Sequence, residues 1–248
     1  YSESRTKAAA DIKNGFLYVN GINVLKSSFE ITDGDEVELK GTSTVFVGRG
    51  GEKLEKAINV FGVEVTGKVC VDVGASTGGF TDCLLRHGAC KVYAVDCGHG
   101  QLHPKLISDS RVVNIEKFNA RNLTEETLGE KCDIAVMDVS FISQTALLPA
   151  VGKVLKDGGL LISLIKPQFE CGKECIGKNG VVKNTFFHKE AVNKVLLSAS
   201  ENSFMPADLC VSPVKGGDGN TEYLALFSYR CDAEKAVPLS ELTERIFT

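Results

Sequence analysis

A run of small residues at a predicted strand-to-helix turn is the clearest candidate for a ligand site in this chain. It reads Gly74-Ala75-Ser76-Thr77-Gly78-Gly79-Phe80 and follows an apolar segment at 69–73. Small residues at such a turn let the backbone approach a ligand closely. The spacing differs from the Gly-x-Gly-x-x-Gly of dinucleotide-binding proteins because Ser76 stands at the second glycine position. We therefore expect a small cofactor here, and the sequence disfavours a nicotinamide.

Four charged side chains elsewhere in the chain could exchange protons or orient a polar substrate. They are Lys53, Asp138, Lys166 and Glu222. Asp138 and Lys166 stand at the ends of apolar segments that are predicted to be strands. Ligands of open α/β sheets bind beyond the carboxyl ends of the strands, so these side chains are expected at the ligand edge. Asp96 ends another predicted strand, where a carboxylate can accept hydrogen bonds from the ribose of an adenosine-containing cofactor.

Composition indicates an ordinary globular protein. The chain has 248 residues, 43% hydrophobic content and a net charge of −4, and no apolar run approaches the length of a membrane helix. Nine cysteines are present without a Cys-x-x-Cys pair, and the pairs Cys171/Cys175 and His99/His103 lack the rest of a metal-binding pattern. We expect reduced cysteines, no metal site, no membrane span and a cytoplasmic location.

The order of predicted elements indicates an α/β fold. Apolar strands alternate with helices from residue 69 onward, which is typical of a mostly parallel sheet covered on both faces. The predicted strands lie at residues 69–73, 91–96, 111–115, 133–138, 160–165, 209–214 and 221–229. We expect a small domain at 1–42, a glycine-rich linker at 43–51, the main domain at 52–232 and a C-terminal tail at 233–248.

The first block resembles the S4-like RNA-binding domain, a small α+β module. The resemblance rests on Ser4-Arg5-Thr6-Lys7-Ala8, Gly15-Phe16-Leu17-Tyr18-Val19-Asn20-Gly21 and Asp33-Gly34-Asp35-Glu36-Val37. The usual first helix of that domain would lie before Tyr1. The resemblance implies that Arg5, Lys7 and Lys13 contact RNA phosphates, with Arg49 in the linker as a further contact. A purely structural appendage is the alternative.

The rest of the chain resembles the FtsJ-like class I methyltransferases, and the whole chain is similar to the hemolysin-A-type (TlyA) ribosomal RNA 2'-O-methyltransferases. Five motifs carry this resemblance: Gly48-Arg49-Gly50-Gly51-Glu52-Lys53-Leu54, Asp72 to Thr81, Asp138-Val139-Ser140-Phe141-Ile142-Ser143, Lys166-Pro167-Gln168-Phe169-Glu170 and Gly219-Asn220-Thr221-Glu222-Tyr223. It implies a Rossmann-like, seven-stranded domain that binds S-adenosylmethionine. The implied cofactor residues are Gly74, Ala75, Ser76, Thr77, Gly78, Gly79, Phe80, Asp96, Asn119 and Asp138.

The same resemblance implies a catalytic set of Lys53, Asp138, Lys166 and Glu222. Lys166 is the expected general base, oriented by Asp138, while Glu222 balances the charge of Lys53. The implied substrate is a ribose, with cytidine as the usual nucleotide, in ribosomal RNA or an assembled ribosomal subunit.

Three alternatives stay open at the level of sequence. Amino-methyltransferases place Asp/Asn-Pro-Pro-Phe/Tyr where this chain has Asp138-Val139-Ser140-Phe141, and the missing prolines favour hydroxyl methylation. A membrane-lytic hemolysin, suggested by the family's other name, has no amphipathic membrane segment in this sequence. A catalytically silent RNA-binding protein would leave the four charged residues unexplained.

Overall fold

The computed structural model describes residues 8–9, 11–12, 15–39, 46–177, 179–217, 219–231 and 237–248. The chain divides into two compact units, Tyr1–Val45 and Phe46–Thr248, and each is described by itself. Three of the expected RNA contacts, Arg5, Lys7 and Lys13, lie outside the described residues.

The small unit contains a three-stranded antiparallel sheet. Its strands are β1 (Leu17–Val19), β2 (Ile22–Asn23) and β3 (Val37–Leu39), in the order β2-β1-β3. Asn20 and Gly21 form the hairpin turn between β1 and β2, with φ values of 50° and 77°. The Asn20 side chain also donates to Asp35 Oδ1 at 2.7 Å, so one asparagine fixes both the hairpin and the approach of β3.

The large unit is built on a seven-stranded sheet in the order β6-β5-β4-β7-β8-β10-β9. Neighbouring strands from β4 to β8 pair in parallel, whereas β10 is antiparallel to both β8 and β9. The predicted Rossmann-like, mostly parallel sheet is therefore confirmed. The strands are β4 (Val69–Val73), β5 (Lys91–Val95), β6 (Val112–Ile115), β7 (Cys132–Met137), β8 (Leu155–Ile165), β9 (Phe204–Val211) and β10 (Tyr223–Tyr229).

Helices cover both faces of this sheet. Helices α1, α2 and α3 contribute to the apolar core on one face, and α4, α5, α7 and α8 contribute to the core on the other. The helices are α1 (Gly50–Phe61), α2 (Gly79–Arg86), α3 (Pro104–Ile107), α4 (Glu125–Leu128), α5 (Leu148–Val154), α6 (Pro167–Glu170), α7 (Thr185–Glu201) and α8 (Leu239–Phe247). In the described part of the chain, none of the helices combines the length and apolarity that a bilayer crossing needs.

Two boundaries of the large unit differ from those expected from sequence. The unit begins at Phe46, so the segment from Phe46 to Gly51 belongs to it. Helix α8, in the expected tail, places Leu242 in the core and stacks Phe247 on Tyr223 with ring centroids 5.2 Å apart.

The sheet order places a crevice between β4 and β7. From β4 the chain proceeds outward to β5 and β6, and then returns to the other side of β4 as β7. Ligands of such sheets bind at this reversal, beyond the carboxyl ends of the strands. Gly74 follows β4 with φ +88°, and a Cβ there would collide with the carbonyl oxygen of Asp138 after β7. The glycine thus allows the two strand ends to approach each other at the crevice.

Candidate active site

Backbone hydrogen bonds to the neighbouring strand β5 fix the start of the glycine-rich turn. The N–H groups of Gly74 and Ala75 both donate to the Val95 carbonyl, at 2.8 and 3.1 Å. Gly78, with φ +94°, is the N-cap residue that precedes α2. The turn therefore extends beyond the sheet edge before the chain enters the helix.

Asp96 fixes the far side of this turn. Its Oδ2 accepts the Ser76 N–H at 2.8 Å, and its Oδ1 accepts the Gly98 N–H at 2.7 Å. A carboxylate has about four acceptor positions, so Asp96 can still accept hydrogen bonds from ribose hydroxyls. The expected role of Asp96 is compatible with this geometry.

Asp72 is a buried acid beneath the turn. Its Oδ2 accepts the Thr81 hydroxyl at 2.7 Å, while its Oδ1 has no hydrogen-bond partner among the described residues. Burial raises the pKa of Asp72 to about 7, against the opposing effect of the Thr81 hydrogen bond. Sequence analysis gave this residue no role, because nothing in the motif distinguishes a buried aspartate from an exposed one.

Two lysine–carboxylate pairs lie next to the turn. Lys53 Nζ is 2.6 Å from Glu222 Oε2, and Lys166 Nζ is 2.5 Å from Asp138 Oδ1. Strand pairing explains why the two pairs lie near each other. Strand β10 runs antiparallel to β8, with Tyr223 opposite Ile165. Glu222 and Lys166 therefore lie at the same level of the sheet, just beyond that pair of strands.

These residues surround one cavity of about 260 Å³. Three of the four expected catalytic residues line it directly, and Glu222 reaches it through Lys53. The lining residues are Arg49, Gly50, Lys53, Gly74, Ala75, Ser76, Thr77, Gly79, Phe80, Asp138, Ser140, Lys166, Lys215 and Gly217. The structure thus brings together the cofactor turn and the charged set.

Three expected cofactor residues, Gly78, Asp96 and Asn119, are not among those that line this cavity in the described part of the chain. Asn119 lies beyond β6, where its side chain accepts the Arg121 N–H at 3.1 Å and caps the short helical turn Ala120–Asn122. Its role as a cofactor-binding residue stays a prediction.

The cavity also contains residues that sequence analysis missed. Ser140 accepts a hydrogen bond from Lys166 Nζ at 2.9 Å, so it shares this ammonium with Asp138. Ser140 belongs to the motif that begins at Asp138, and its place in that motif is the sequence signal that could have identified it. Lys215 and Gly217 lie between β9 and β10, just before the motif that contains Glu222, and no sequence pattern marked these two positions.

Comparisons with known proteins agree with this arrangement. Residues 46–229 match the family described as FtsJ-like methyltransferase. The chain is 44% identical to Hemolysin A of Brachyspira hyodysenteriae, with 92% of this chain and 95% of that protein covered. It is 40% identical to the 16S/23S rRNA (cytidine-2'-O)-methyltransferase TlyA of Mycobacterium tuberculosis, with 90% and 83% covered.

A solved structure from Streptococcus thermophilus, whose name includes hemolysin, has a similar fold. It superposes with a TM-score of 0.81 at 39% identity and covers 98% of this chain and 90% of that one. The family match extends across the turn, both lysine–carboxylate pairs and the sheet that positions them. This chain therefore belongs to the FtsJ-like methyltransferase family.

Proposed function

We propose that this protein methylates the 2'-hydroxyl of a ribose in ribosomal RNA, with S-adenosylmethionine as the methyl donor and cytidine as the target nucleotide. The observation that carries the proposal is the Lys166–Asp138 pair, 2.5 Å long, on the same cavity as the glycine-rich turn. The Mycobacterium tuberculosis relative is named for cytidine 2'-O-methylation of 16S and 23S rRNA, which supports this substrate.

The residues at the turn suit S-adenosylmethionine. Asp96 retains free acceptor positions for ribose hydroxyls, and the small residues from Gly74 to Gly79 leave the backbone accessible. The unpartnered Oδ1 of Asp72 is a buried acceptor beneath this turn. When bound, the cofactor supplies a methyl group on a sulfonium sulfur, and that sulfur is the leaving group.

The protein must then remove the proton of a weakly acidic ribose hydroxyl. Lys166 is the candidate acceptor, because β8 and Pro167 fix its backbone and its amine faces the cavity. A lysine side chain is protonated in neutral water, so Lys166 must lose a proton before it acts as a base.

The Lys53–Glu222 pair has a separate task. Both side chains are buried, at 10% and 2% exposure, and their charges offset each other. Lys53 faces the cavity from the first turn of α1, where it can donate a hydrogen bond to an RNA hydroxyl or phosphate. Glu222 holds that lysine in place.

Phe141 is suited to hold the base of the target nucleotide. Its side chain is 92% exposed and stacks on Phe169 with ring centroids 5.2 Å apart. Its φ is +65°, a costly conformation for a bulky residue, which directs the ring outward beside Asp138 and Ser140. Exposed aromatic rings stack on the unpaired bases of RNA.

The small unit completes the proposal as an S4-like RNA-binding domain. Arg5, Lys7 and Lys13 in that unit, and Arg49 at the cavity, are proposed to bind phosphates. Because folded RNA is recognised largely by its shape, an assembled ribosomal subunit is the proposed substrate.

The test is methyl transfer from labelled S-adenosylmethionine to purified ribosomal subunits and to protein-free rRNA. Wild-type protein is expected to label subunits, and Lys166→Ala is expected to lose at least about 100-fold in rate. Lys156→Ala removes a lysine that pairs with Asp133 outside the cavity, and it should keep full activity. Cofactor binding without label in any RNA would overturn the proposal.

A further inference from the structure

The proposed base and its carboxylate partner stand on two different loops. Asp138 opens the irregular segment 138–143 after β7, and Lys166 lies between β8 and α6. Because a 2.5 Å ion pair requires both backbones to be fixed, something must hold these loops together. Glu170 is the last residue of α6, the helix that directly follows Lys166, and it is buried to 4% exposure. Its side chain contacts the end of the segment that begins at Asp138.

The Glu170 carboxylate closes the end of the first loop. Its Oε2 accepts the Ser143 hydroxyl at 2.5 Å, and its Oε1 accepts the Gln144 N–H at 2.8 Å. The Gln144 side chain continues the network to β8, where it accepts the Ser163 hydroxyl and donates to the Leu164 carbonyl at 3.4 Å. The end of the Asp138 loop is thus joined to the strand and helix on either side of Lys166.

A lysine from α7 completes the network. Lys194 Nζ donates to the Glu170 carbonyl at 2.7 Å and lies 3.8 Å from its Oε2. Burial raises the pKa of Glu170, and the hydrogen bonds from Ser143 and Gln144 together with Lys194 oppose that effect. Burying a carboxylate costs free energy unless all its acceptor positions are partnered. Apolar side chains of similar volume often give the same stability as a buried ion pair. A buried glutamate with these partners therefore indicates a geometric role.

We infer that Glu170 is a positioning residue that sets the distance between Lys166 and Asp138 by tying the ends of their two loops together. The inference rests on the proposed function. Glu170 is not among the residues that line the described cavity, so it acts through the loops and not on the substrate. The same tie holds Phe141 over Phe169, because Phe141 lies in the segment after Asp138 and Phe169 lies in α6 next to Glu170.

The test compares Glu170→Gln in the full chain with a matched control, Asp133→Asn. Asp133 also accepts a backbone N–H, from Val69 at 2.9 Å, and a lysine, Lys156 at 2.7 Å, but it lies at the amino end of β7. Glu170→Gln is expected to lower kcat at least tenfold and leave KM for the cofactor within threefold. Asp133→Asn should leave both constants within twofold at matched fraction folded.

Hydrogen exchange provides a second readout that does not need activity. Amides 138–144 should exchange at least tenfold faster in Glu170→Gln and unchanged in Asp133→Asn. Ser143→Ala combined with Glu170→Gln should lower kcat little further than Glu170→Gln alone, because both act through one contact. Wild-type kcat in Glu170→Gln overturns the inference, whether or not exchange changes. If the wild-type protein methylates no RNA, the proposed function is refuted instead. In that case, unchanged hydrogen exchange of amides 138–144 in Glu170→Gln would refute the positioning role of Glu170.

Discussion

Two of the three lysines that line the cavity each pair with a carboxylate, and these pairs are the main observation among the individual residues. Lys53 pairs with Glu222 and Lys166 pairs with Asp138, so the four charges sum to zero. Buried ion pairs contribute little net stability because desolvation offsets their attraction. The buried Lys53–Glu222 pair and the half-buried Lys166–Asp138 pair around one cavity therefore suggest a role in chemistry more than in folding.

Asp72 should give the protein a characteristic dependence of stability on pH. An unfolded aspartate ionises near pH 4, whereas the pKa of Asp72 is about 7 in the folded protein. The folded state then binds more protons between these values, so the free energy of unfolding falls as pH rises from 4 to 7. The effect is at most about 4 kcal/mol.

Asp72→Asn should remove this fall. Urea unfolding at a series of pH values measures the free energy of unfolding of both proteins. The stability of Asp72→Asn relative to wild type should rise up to about pH 7 and then level off. Thr81→Val removes the hydrogen bond that lowers the pKa of Asp72, so its transition should move to higher pH. Parallel stability profiles for wild type and Asp72→Asn would contradict the assignment.

Phe141 should show a conflict between stability and activity. Glycine adopts a φ of +65° without strain, and the Phe141 ring buries little surface. Phe141→Gly is therefore expected to gain about 1 kcal/mol of stability and to lose kcat/KM for RNA. Phe186→Ala, which removes another exposed ring from α7, should leave kcat/KM unchanged. Thermal unfolding and methylation kinetics test both effects, and a Phe141→Gly variant with wild-type kcat/KM would exclude base stacking.

At the scale of elements, the beginnings of α1 and α2 pack closely against each other beside the cavity. A Cβ on Gly79 would lie 3.0 Å from the Gly51 nitrogen and 3.1 Å from the Gly48 oxygen, both backbone atoms. The glycines of the motif around Arg49 thus allow one helix start to lie against the other. This packing places Lys53 and the cofactor turn on the same cavity.

Gly79→Ala should separate these two helix starts. We expect a loss of about 1–3 kcal/mol in stability and at least a tenfold loss in affinity for the cofactor product, measured by calorimetry. Val60→Ala is the control, because Val60 is an exposed residue of α1 that does not line the described cavity. Equal affinities for the two variants would show that the close approach is unimportant.

The parallel core of the large unit was predictable because its strands are short apolar runs between turn residues. The strands at 69–73, 91–95 and 132–137 lie within a residue of their predicted bounds. The helix from Gly50 to Phe61 also follows its apolar spacing, and Gly62 ends it with φ +65°. Of the site, the sequence identified the turn and the four charged residues that line or reach the cavity.

Two elements were not predictable, for different physical reasons. The segment after Asp138 stays irregular up to the short 3₁₀ helix Gln144–Ala146, and Glu170 binds the Ser143 hydroxyl and the Gln144 N–H at that point. That tie joins residues 26 positions apart, and no local pattern marks it. Strand β9 begins at Phe204, before its predicted start, because an edge strand tolerates Pro206.

At the scale of the whole molecule, the net charge of −4 means that RNA must be attracted by local positive charge. If Arg5, Lys7 and Lys13 each bind one phosphate, changing each to Ala should make the plot of log affinity against log salt shallower by about 1. Filter binding at several salt concentrations measures the slope. Lys153→Ala, on the exposed side of α5, should leave the slope unchanged. Wild-type slopes for all three variants would exclude the small unit as the phosphate-binding surface.

The most direct test of the whole account is the position of the transferred methyl group. Ribosomal RNA methylated by the protein would be digested to nucleosides, and fragmentation in the mass spectrometer would separate base from ribose. We predict a methyl group on the ribose of cytidine, and its absence when Lys166→Ala is used. A methyl group on the base would contradict the proposed function, because the Lys166–Asp138 pair would then not deprotonate a ribose hydroxyl.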